Sequence, residues 1–414
     1  MAVETGYSKI ATSGSVFIYD TGDTFNSYLG IPVVNCATDL TSGYNVTVTE
    51  VTDGSIQPPF PGMRVYKFVT ANNYNLYRQG GYYDGGGFAG SNPRPLILGR
   101  TSPSNFTTVG TGKYKFGMYV RGDASNSAGA VLSIDIGDRN GVSATIGTSS
   151  TWQLIQTNDS AGINDSSYPY DFFDISADFN MTFYVSGYGI WRNIGTVDSL
   201  PALQGYPVGR QYITYGQTRT ATQSLIDISG NNTTLDLSSI SFTSAGQITF
   251  DGTDDYIPTG KSAAQLGMYD QSYTAECLCY PTNFSNDRTM FGTDGTGLRQ
   301  GLHLVFRSGT IYMGHYASDY AAGTGTLNAW NHIVYTFNKT GATAGTASIY
   351  KNGVLQGSGT IDSFIGTTNI QLGRWASTSN FAGDIAVQKI YSRALTASEV
   401  LSNFNHYKTR FNIT

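Results

Sequence analysis

WNHIVYTFN at residues 330–338, a strand-like run, and IYKNGVL at residues 349–355, a run broken by a turn, decide the fold class. In the first, Ile333, Tyr335 and Phe337 alternate with His332, Val334 and Thr336, the period of two that sends successive side chains to opposite faces of a sheet. In the second, Asn352-Gly353 is a strong hairpin signal, because a tight primed turn needs positive φ at both central residues. Four further segments continue the pattern on either side: FDGTDDYI (250–257), SYTAECLCYP (272–281), IQLGRW (370–375) and FAGDIAVQKIYSRALTASEV (381–400). In the last of these, Thr396 and Glu399 are spaced as a capping box, each side chain bonding a backbone amide at a helix start. Behind them Ala397, Val400, Leu401 and Phe404 fall at helical spacing. One short C-terminal helix is expected, and strands elsewhere.

Composition agrees. The chain has 414 residues, enough for two ordinary domains and an appendage, and only 13% are charged, well under the usual quarter. With 50 glycines and 29 tyrosines it suits many short strands joined by turns. A net charge of −5 without a basic cluster argues against nucleic acid as a partner. No apolar run reaches membrane-spanning length, so no membrane insertion is expected. The opening MAVETGYSKIATSG has no basic region followed by an apolar core, and no secretory signal is expected. Cys36, Cys277 and Cys279 do not make a disulfide framework; Cys277 and Cys279, two apart on one strand, read as small apolar residues in a sheet.

The six C-terminal segments, in their order and spacing, resemble the laminin-G-like, concanavalin A-like jelly roll, and this resemblance covers roughly the last half of the chain. It implies a module that holds sugars or surfaces. Nearer the N-terminus, RVYKFV (64–69), KYKFGMYVRG (113–122), VLSIDIGD (131–138), TWQLIQT (151–157) and MTFYVSGYGIW (181–191) resemble the sandwich of carbohydrate-binding modules related to galactose-binding domains. The fold expected is therefore all-β: two tandem antiparallel β-sandwich jelly rolls and one short C-terminal helix. Residues 1–30 read as a polar arm, 31–194 as the first sandwich, 195–210 as a Pro- and Gly-containing linker, and 211–414 as the second sandwich.

Catalysis is not expected. A glycosidase needs two carboxylates across the scissile bond, and the four glutamates are poorly placed: Glu4 in the arm, Glu50 apart, Glu276 alone on a strand and Glu399 in the helix cap. No nucleophile elbow, paired-histidine zinc motif or phosphate-cradling loop is present. No cofactor is required by the reading. The calcium candidates are Asp251 and Asp254 with Asp384, although turn chemistry, in which Asp bonds its own backbone, is the preferred account of these residues and of Asp255, Asp171, Asp174 and Asp178. In the family's terminal motif an acidic pair falls where this chain has Ala386 and Val387.

For sugar stacking the leading residue is Trp375, expected to be exposed because a loop follows it, with Tyr320, Asp319 and Tyr312 beside it, then Tyr316, and Tyr82, Tyr83 and Trp191 in the first sandwich. Trp152, Trp191 and Trp330 are expected in the core. His332 reads as structural, His303 and His315 as isolated, and Arg121-Gly122-Asp123 as a chance integrin-type tripeptide.

A disulfide-free chain of two lectin-like sandwiches with a polar arm resembles bacteriophage virion proteins: tail fibres, neck appendages and head decorations. That resemblance implies a virion protein made in the host cytoplasm and extracellular after lysis. It implies docking to other virion proteins through residues 1–30, homo-oligomerisation, and host surface glycan as a ligand. A cellular carbohydrate-binding adhesin is the alternative, and a polysaccharide depolymerase the third reading.

Overall fold

A computed structural model describes residues 10–24, 26–35, 46–60, 63–70, 75–79, 114–136, 142–157, 173–177, 180–193, 218–243 and 246–413. The chain divides into two compact units, Ile31–Thr220 with Ser244–Gly246, and Met1–Gly30 with Ala221–Thr243 and Gln247–Thr414. The linker expected at 195–210 lies outside the described residues, as do Glu4, Cys36, Tyr82, Tyr83, Asp171, Asp178 and the side chains of Asp174 and Trp191.

The first strand, β1 (Ser15–Asp20), belongs to the C-terminal unit. The other unit contains β2 (Val33–Asn35), β3 (Val46–Glu50), β4 (Val65–Thr70), β5 (Asn75–Gln79), β6 (Tyr114–Arg121), β7 (Val131–Ile136), β8 (Val142–Thr145), β9 (Gln153–Gln156), β10 (Phe173–Ala177), β11 (Thr182–Asn193) and β12 (Thr218–Arg219). One sheet runs β12-β2-β11-β4-β3, with β6 and β9 added beside β11, and the other runs β5-β10-β7-β8. Met118, Val120, Leu132, Ile134 and Val185 are buried, and Phe68 stacks on Phe183 at 4.8 Å between centroids. Residues 218–219, assigned from sequence to the second sandwich, pair with β2 here. Trp152, expected in the core, is half-buried: its indole donates to the Gln57 carbonyl and its ring faces Arg121, while Ile155 is the buried residue of β9. The Arg-Gly-Asp triplet is built into the sandwich. A Cβ on Gly122 would lie 2.0 Å from the Gly147 carbonyl oxygen, and the Asp123 carboxylate accepts from Ser125 and from the Tyr184 hydroxyl.

The C-terminal unit continues with β13 (Ser241–Phe242), β14 (Ile248–Asp251), β15 (Ile257–Ser262), β16 (Tyr273–Pro281), β17 (Asp287–Gly292), β18 (His303–Arg307), β19 (Thr310–Gly314), β20 (Asp319–Thr324) and β21 (Asn331–Lys339). It ends with β22 (Ala344–Lys351), β23 (Val354–Asp362), β24 (Asn369–Leu372), β25 (Arg374–Trp375), β26 (Ser379–Asn380), β27 (Ala382–Tyr391) and the helix Ala397–Lys408. An eight-stranded sheet, β13-β14-β27-β16-β21-β22-β23 with β1 added, faces a six-stranded sheet, β15-β24-β17-β18-β19-β20. Cys279 Sγ and the Tyr335 hydroxyl meet Met290 Sδ of the opposing sheet at 4.0 and 3.7 Å, so the two sheets pack directly on each other; Cys277 and Cys279 are buried and free.

The helix covers the other face of the larger sheet, so β16 is buried on both faces for most of its length. Its cap forms as spaced in the sequence: the Glu399 amide donates to Thr396 Oγ1 at 3.3 Å and the Thr396 amide to Glu399 Oε2 at 2.8 Å. Trp330, expected in the core, is half-buried against Phe411. Asn352 and Gly353 form the tight turn with φ of 50° and 76°. A one-turn helix, Ala221–Ser224, adds to the single helix expected.

Residues 15–20 overturn the expectation of an unpaired arm. β16 occupies one edge of β27; on the other, β14 pairs with Ala382 and Gly383, and β1 pairs with residues 387–391. Phe17 and Tyr19 are fully buried, and Ile18 donates its amide to the Asp227 carboxylate. The apolar run finds its cover within its own chain, because β14 is too short to close the edge alone.

Glu276 is not alone either. It lies fully buried beneath the helix, 3.0 Å from Lys389 Nζ and 3.1 Å from His332 Nε2, and it accepts from Asn403 Nδ2 at 2.6 Å. Burial pushes its carboxyl up, but Lys389 and His332 outweigh that and hold it at about 2. This is a structural network, and His332 is structural with it.

Candidate functional site

One face of the six-stranded sheet packs against the larger sheet. Leu304 pairs with Met313, and Met313 with Tyr320, whose ring lies where a Cβ on Gly359 would sit, on β23 of the larger sheet. That face therefore looks inward, and Tyr320 is a packing residue rather than a surface one. The next residues along each strand look outward.

On this outward face five residues stand in a row across five strands: Gln371 (β24), Gly292 (β17), His303 (β18), Gly314 (β19) and Asp319 (β20), each paired with the next. The glycines are required by what crosses them. A Cβ on Gly314 would lie 1.9 Å from His303 Nε2 and 2.5 Å from Asp319 Oδ1, so only glycine lets those side chains meet, at 3.0 Å, over β19. A Cβ on Gly292 would lie 2.3 Å from the Arg374 carbonyl oxygen and 2.8 Å from Trp375 Cβ, because the β25–β26 hairpin crosses the sheet there.

Trp375 thus roofs the row. Its ring stacks on His303 with centroids 4.5 Å apart and 29° between planes, and it is half-buried, not freely exposed as expected. Its Nε1 is shielded from solvent and meets no protein acceptor among the described residues. His303 is 2% exposed and is not isolated: Nδ1 lies 3.1 Å from the Gly301 carbonyl oxygen.

Each end of the row carries an arginine on a tyrosine. Arg307 grips Asp287 through Nε and Nη2 at 2.9–3.2 Å, lies 3.6 Å from Asp319 Oδ2, and sits 4.6 Å from the Tyr312 ring centroid. At the other end Arg374 lies 3.4 Å from the Tyr256 centroid and donates to Gln371 Oε1, while Gln371 donates to Asp294. Burial pushes the Asp319 carboxyl up, but His303 and Arg307 outweigh it and hold it below the usual carboxylate range.

Both hairpins beside the row turn through non-glycine residues in the left-handed region, Tyr316-Ala317 at 51° and 63° and Ala376-Ser377 at 48° and 54°. Such positions cost of order 1–3 kcal/mol each and gather where geometry serves a ligand. Tyr316 is 37% exposed at the tip of its hairpin.

Of the residues singled out from sequence, Trp375, Asp319 and Tyr312 come together here and Tyr320 does not. His303, Arg307, Asp287, Gln371, Arg374, Asp294 and Tyr256 were missed. Their signal was weak: period-two placement in HLVFR, with a glycine across from His303 that register alone reveals.

The acidic turn adjoins the β25–β26 hairpin, whose Asn380 donates to the Thr253 carbonyl oxygen at 2.5 Å. The carboxylates converging within 4.8 Å are those of Asp251, Asp254 and Asp255. Asp384, grouped with them from sequence, is not among them; burial raises its pKa and a hydrogen bond from Thr249 opposes that. Asp251 Oδ1 accepts the Thr253 and Asp254 amides, and Asp255 Oδ2 accepts the Asp251 and Ser241 amides, which is turn chemistry. Burial pushes Asp255 up to about 6.

Residues 251–401 match the family model described as the concanavalin A-like lectin/glucanases superfamily. These residues lie within the C-terminal unit. Among solved structures, domain 4 of an extracellular arabinanase from Geobacillus stearothermophilus, in complex with arabinotriose, is 18% identical; the match covers 44% of this chain and 92% of that one, with a TM-score of 0.32. CBM40 of the Ruminococcus gnavus IT-sialidase, bound to alpha2,3 sialyllactose, is 18% identical over 38% of this chain and 91% of that one, at a TM-score of 0.29. The receptor binding domain of botulinum neurotoxin type G is 20% identical over 44% of this chain and 48% of that one, at a TM-score of 0.34. No curated protein matches the chain.

Proposed function

We propose that this chain is a glycan-binding adhesion protein whose C-terminal unit holds sugar on the outward face of its six-stranded sheet. The observation that carries this is the roofed row itself: Trp375 over His303, which meets Asp319, with an arginine–tyrosine pair at each end. A sugar ring has an apolar side that an aromatic edge or face can cover and hydroxyls that charged acceptors can bind. The role proposed is binding rather than cleavage. Asp319, held ionised by His303 and Arg307, suits accepting hydroxyl protons and is a poor proton donor to a leaving group.

On this reading the protein works on the outside of a bacteriophage particle, as a tail fibre, neck appendage or head decoration, and assembles as a homo-oligomer. Support comes from its low charge, its tandem sandwiches and its lack of any need for disulfides in the C-terminal unit. Since β1 is used within that unit, docking to other virion proteins falls to surfaces other than residues 15–20.

The test is titration of the purified chain with a panel of neutral and acidic oligosaccharides, alongside Trp375→Ala and Arg307→Ala. Binding lost in both variants supports the reading, and binding unchanged in both removes the row from it. Release of reducing sugar would favour a depolymerase. Labelling of phage particles by an antibody against the chain would support the virion role, and its appearance on a cell surface without phage would favour a cellular adhesin.

A further inference from the structure

We propose that the ligand of this face is an uncharged glycan, and that sugars bearing a carboxylate, such as sialylated or uronate chains, are rejected. The inference rests on the glycan reading above and narrows it to a class of sugar.

The class of sugar is set by which charges of the face remain free. The Arg307 guanidinium is already committed to a carboxylate, and Arg374 is tied to Gln371 and stands near Asp294. Arg307 donates Nε and Nη2 to Asp287 and turns Nη1 toward Asp319 at 3.6 Å, with its plane against Tyr312. Arg374 donates Nε to Gln371, has Nη2 3.9 Å from Asp294, and is pressed on Tyr256. At Arg307 a ligand carboxylate would have to displace Asp287, exchanging one ion pair for another and leaving the displaced charge without a partner.

The acceptors, by contrast, are not exhausted. A carboxylate has about four lone-pair positions. Asp319 meets His303 through Oδ1 and Arg307 through Oδ2, and its side chain stays 30% exposed. The Asp294 side chain is 45% exposed and accepts from Gln371 through Oδ2. Three carboxylates (Asp287, Asp294 and Asp319) face two guanidiniums, so the carboxylates of this face outnumber its guanidiniums. Such a surface takes hydroxyl donors and repels a second anion.

The experiment is calorimetric titration of the full chain with lactose, maltotriose, cellotriose and diacetylchitobiose, and in parallel with sialyllactose and trigalacturonic acid. Lactose and sialyllactose share a core, so their comparison isolates the carboxylate. At least one neutral sugar is expected to bind, and each acidic sugar to bind at least about ten-fold more weakly. Asp319→Asn and Asp294→Asn, close in size to the parent side chains, are expected to weaken the neutral ligand by roughly ten-fold, the order of a hydrogen bond to a charged group, without lowering the melting temperature. Tighter binding of sialyllactose than lactose overturns the proposal while leaving the glycan reading intact. Unchanged neutral affinity in both variants also overturns it. Failure of every sugar, neutral and acidic, overturns the glycan reading itself.

Discussion

Trp375 rests on His303, ring on ring with centroids 4.5 Å apart, so the aromatic residue most suited to a sugar is also a structural roof. Trp375→Ala is therefore expected to do two things at once. Half-buried, it should cost ~1–3 kcal/mol of stability, between a surface change and the loss of a fully buried Trp. Glycan affinity should fall as well. Thermal melting separates the two effects, and an unchanged melting temperature would show that the stack on His303 carries no stability.

Gly314 gives a sharper test of the row. In Gly314→Ala the new methyl would fall 1.9 Å from His303 Nε2, forcing His303 and Asp319 apart. Overpacking of this kind typically costs ~1–3 kcal/mol. Binding should be lost in this variant even where the fold survives, as followed by circular dichroism and titration together.

The Glu276–Lys389 pair predicts a response to acid. Lys389→Met would leave the carboxylate buried without its main counter-charge, a loss of ~3–5 kcal/mol, and the double change with Glu276→Gln should recover most of it. The folded carboxyl, at about 2, lies below its ordinary 4.5. Its contribution is thus present above the ordinary value and lost as pH falls toward the folded one. Denaturant midpoints of the parent and of Glu276→Gln should accordingly converge between about pH 4.5 and pH 2.

Asp255 has the opposite sign. Its folded pKa of about 6 lies above the ordinary 3.8, so the contribution is full below the ordinary value and is lost as pH rises through the folded one. Asp255→Asn removes that titration and should gain on the parent protein as pH rises from about 4 to about 7. Melting curves across that range that keep a constant offset would count against a buried, titrating Asp255.

Removal of residues 1–20 should destabilise the C-terminal unit rather than free an arm. It would uncover the edge of β27 at residues 387–391 and the pockets of Phe17 and Tyr19. A fragment of residues 221–414 is expected to melt lower than the full chain or to aggregate through that edge, and a peptide spanning residues 10–30 should restore it. Equal melting of the fragment with and without the peptide would make β1 dispensable.

Local pattern was enough for much of this protein. Alternation in residues 330–338 predicted β21, Asn352-Gly353 its hairpin neighbours, and Thr396 with Glu399 the capped helix, because each signal lies within a few residues of what it specifies. The jelly-roll class followed, although residues 218–219 fall in the other unit and β1 joins this one. Other features depended on partners far along the chain. β1 finds its edge more than three hundred residues away, and Glu276 its lysine more than a hundred. Whether Tyr320 looks inward while Asp319 looks outward depends on which sheet lies behind β20, and the meeting of His303 with Asp319 depends on a glycine in the strand between them. Sequence by itself determined the elements and the class of fold, since turns, caps and alternation are set by neighbouring residues. Only the tertiary structure decided which edges are filled, which aromatics roof the sheet and which charges remain free, since strand register and sheet packing bring those groups together across long stretches of chain.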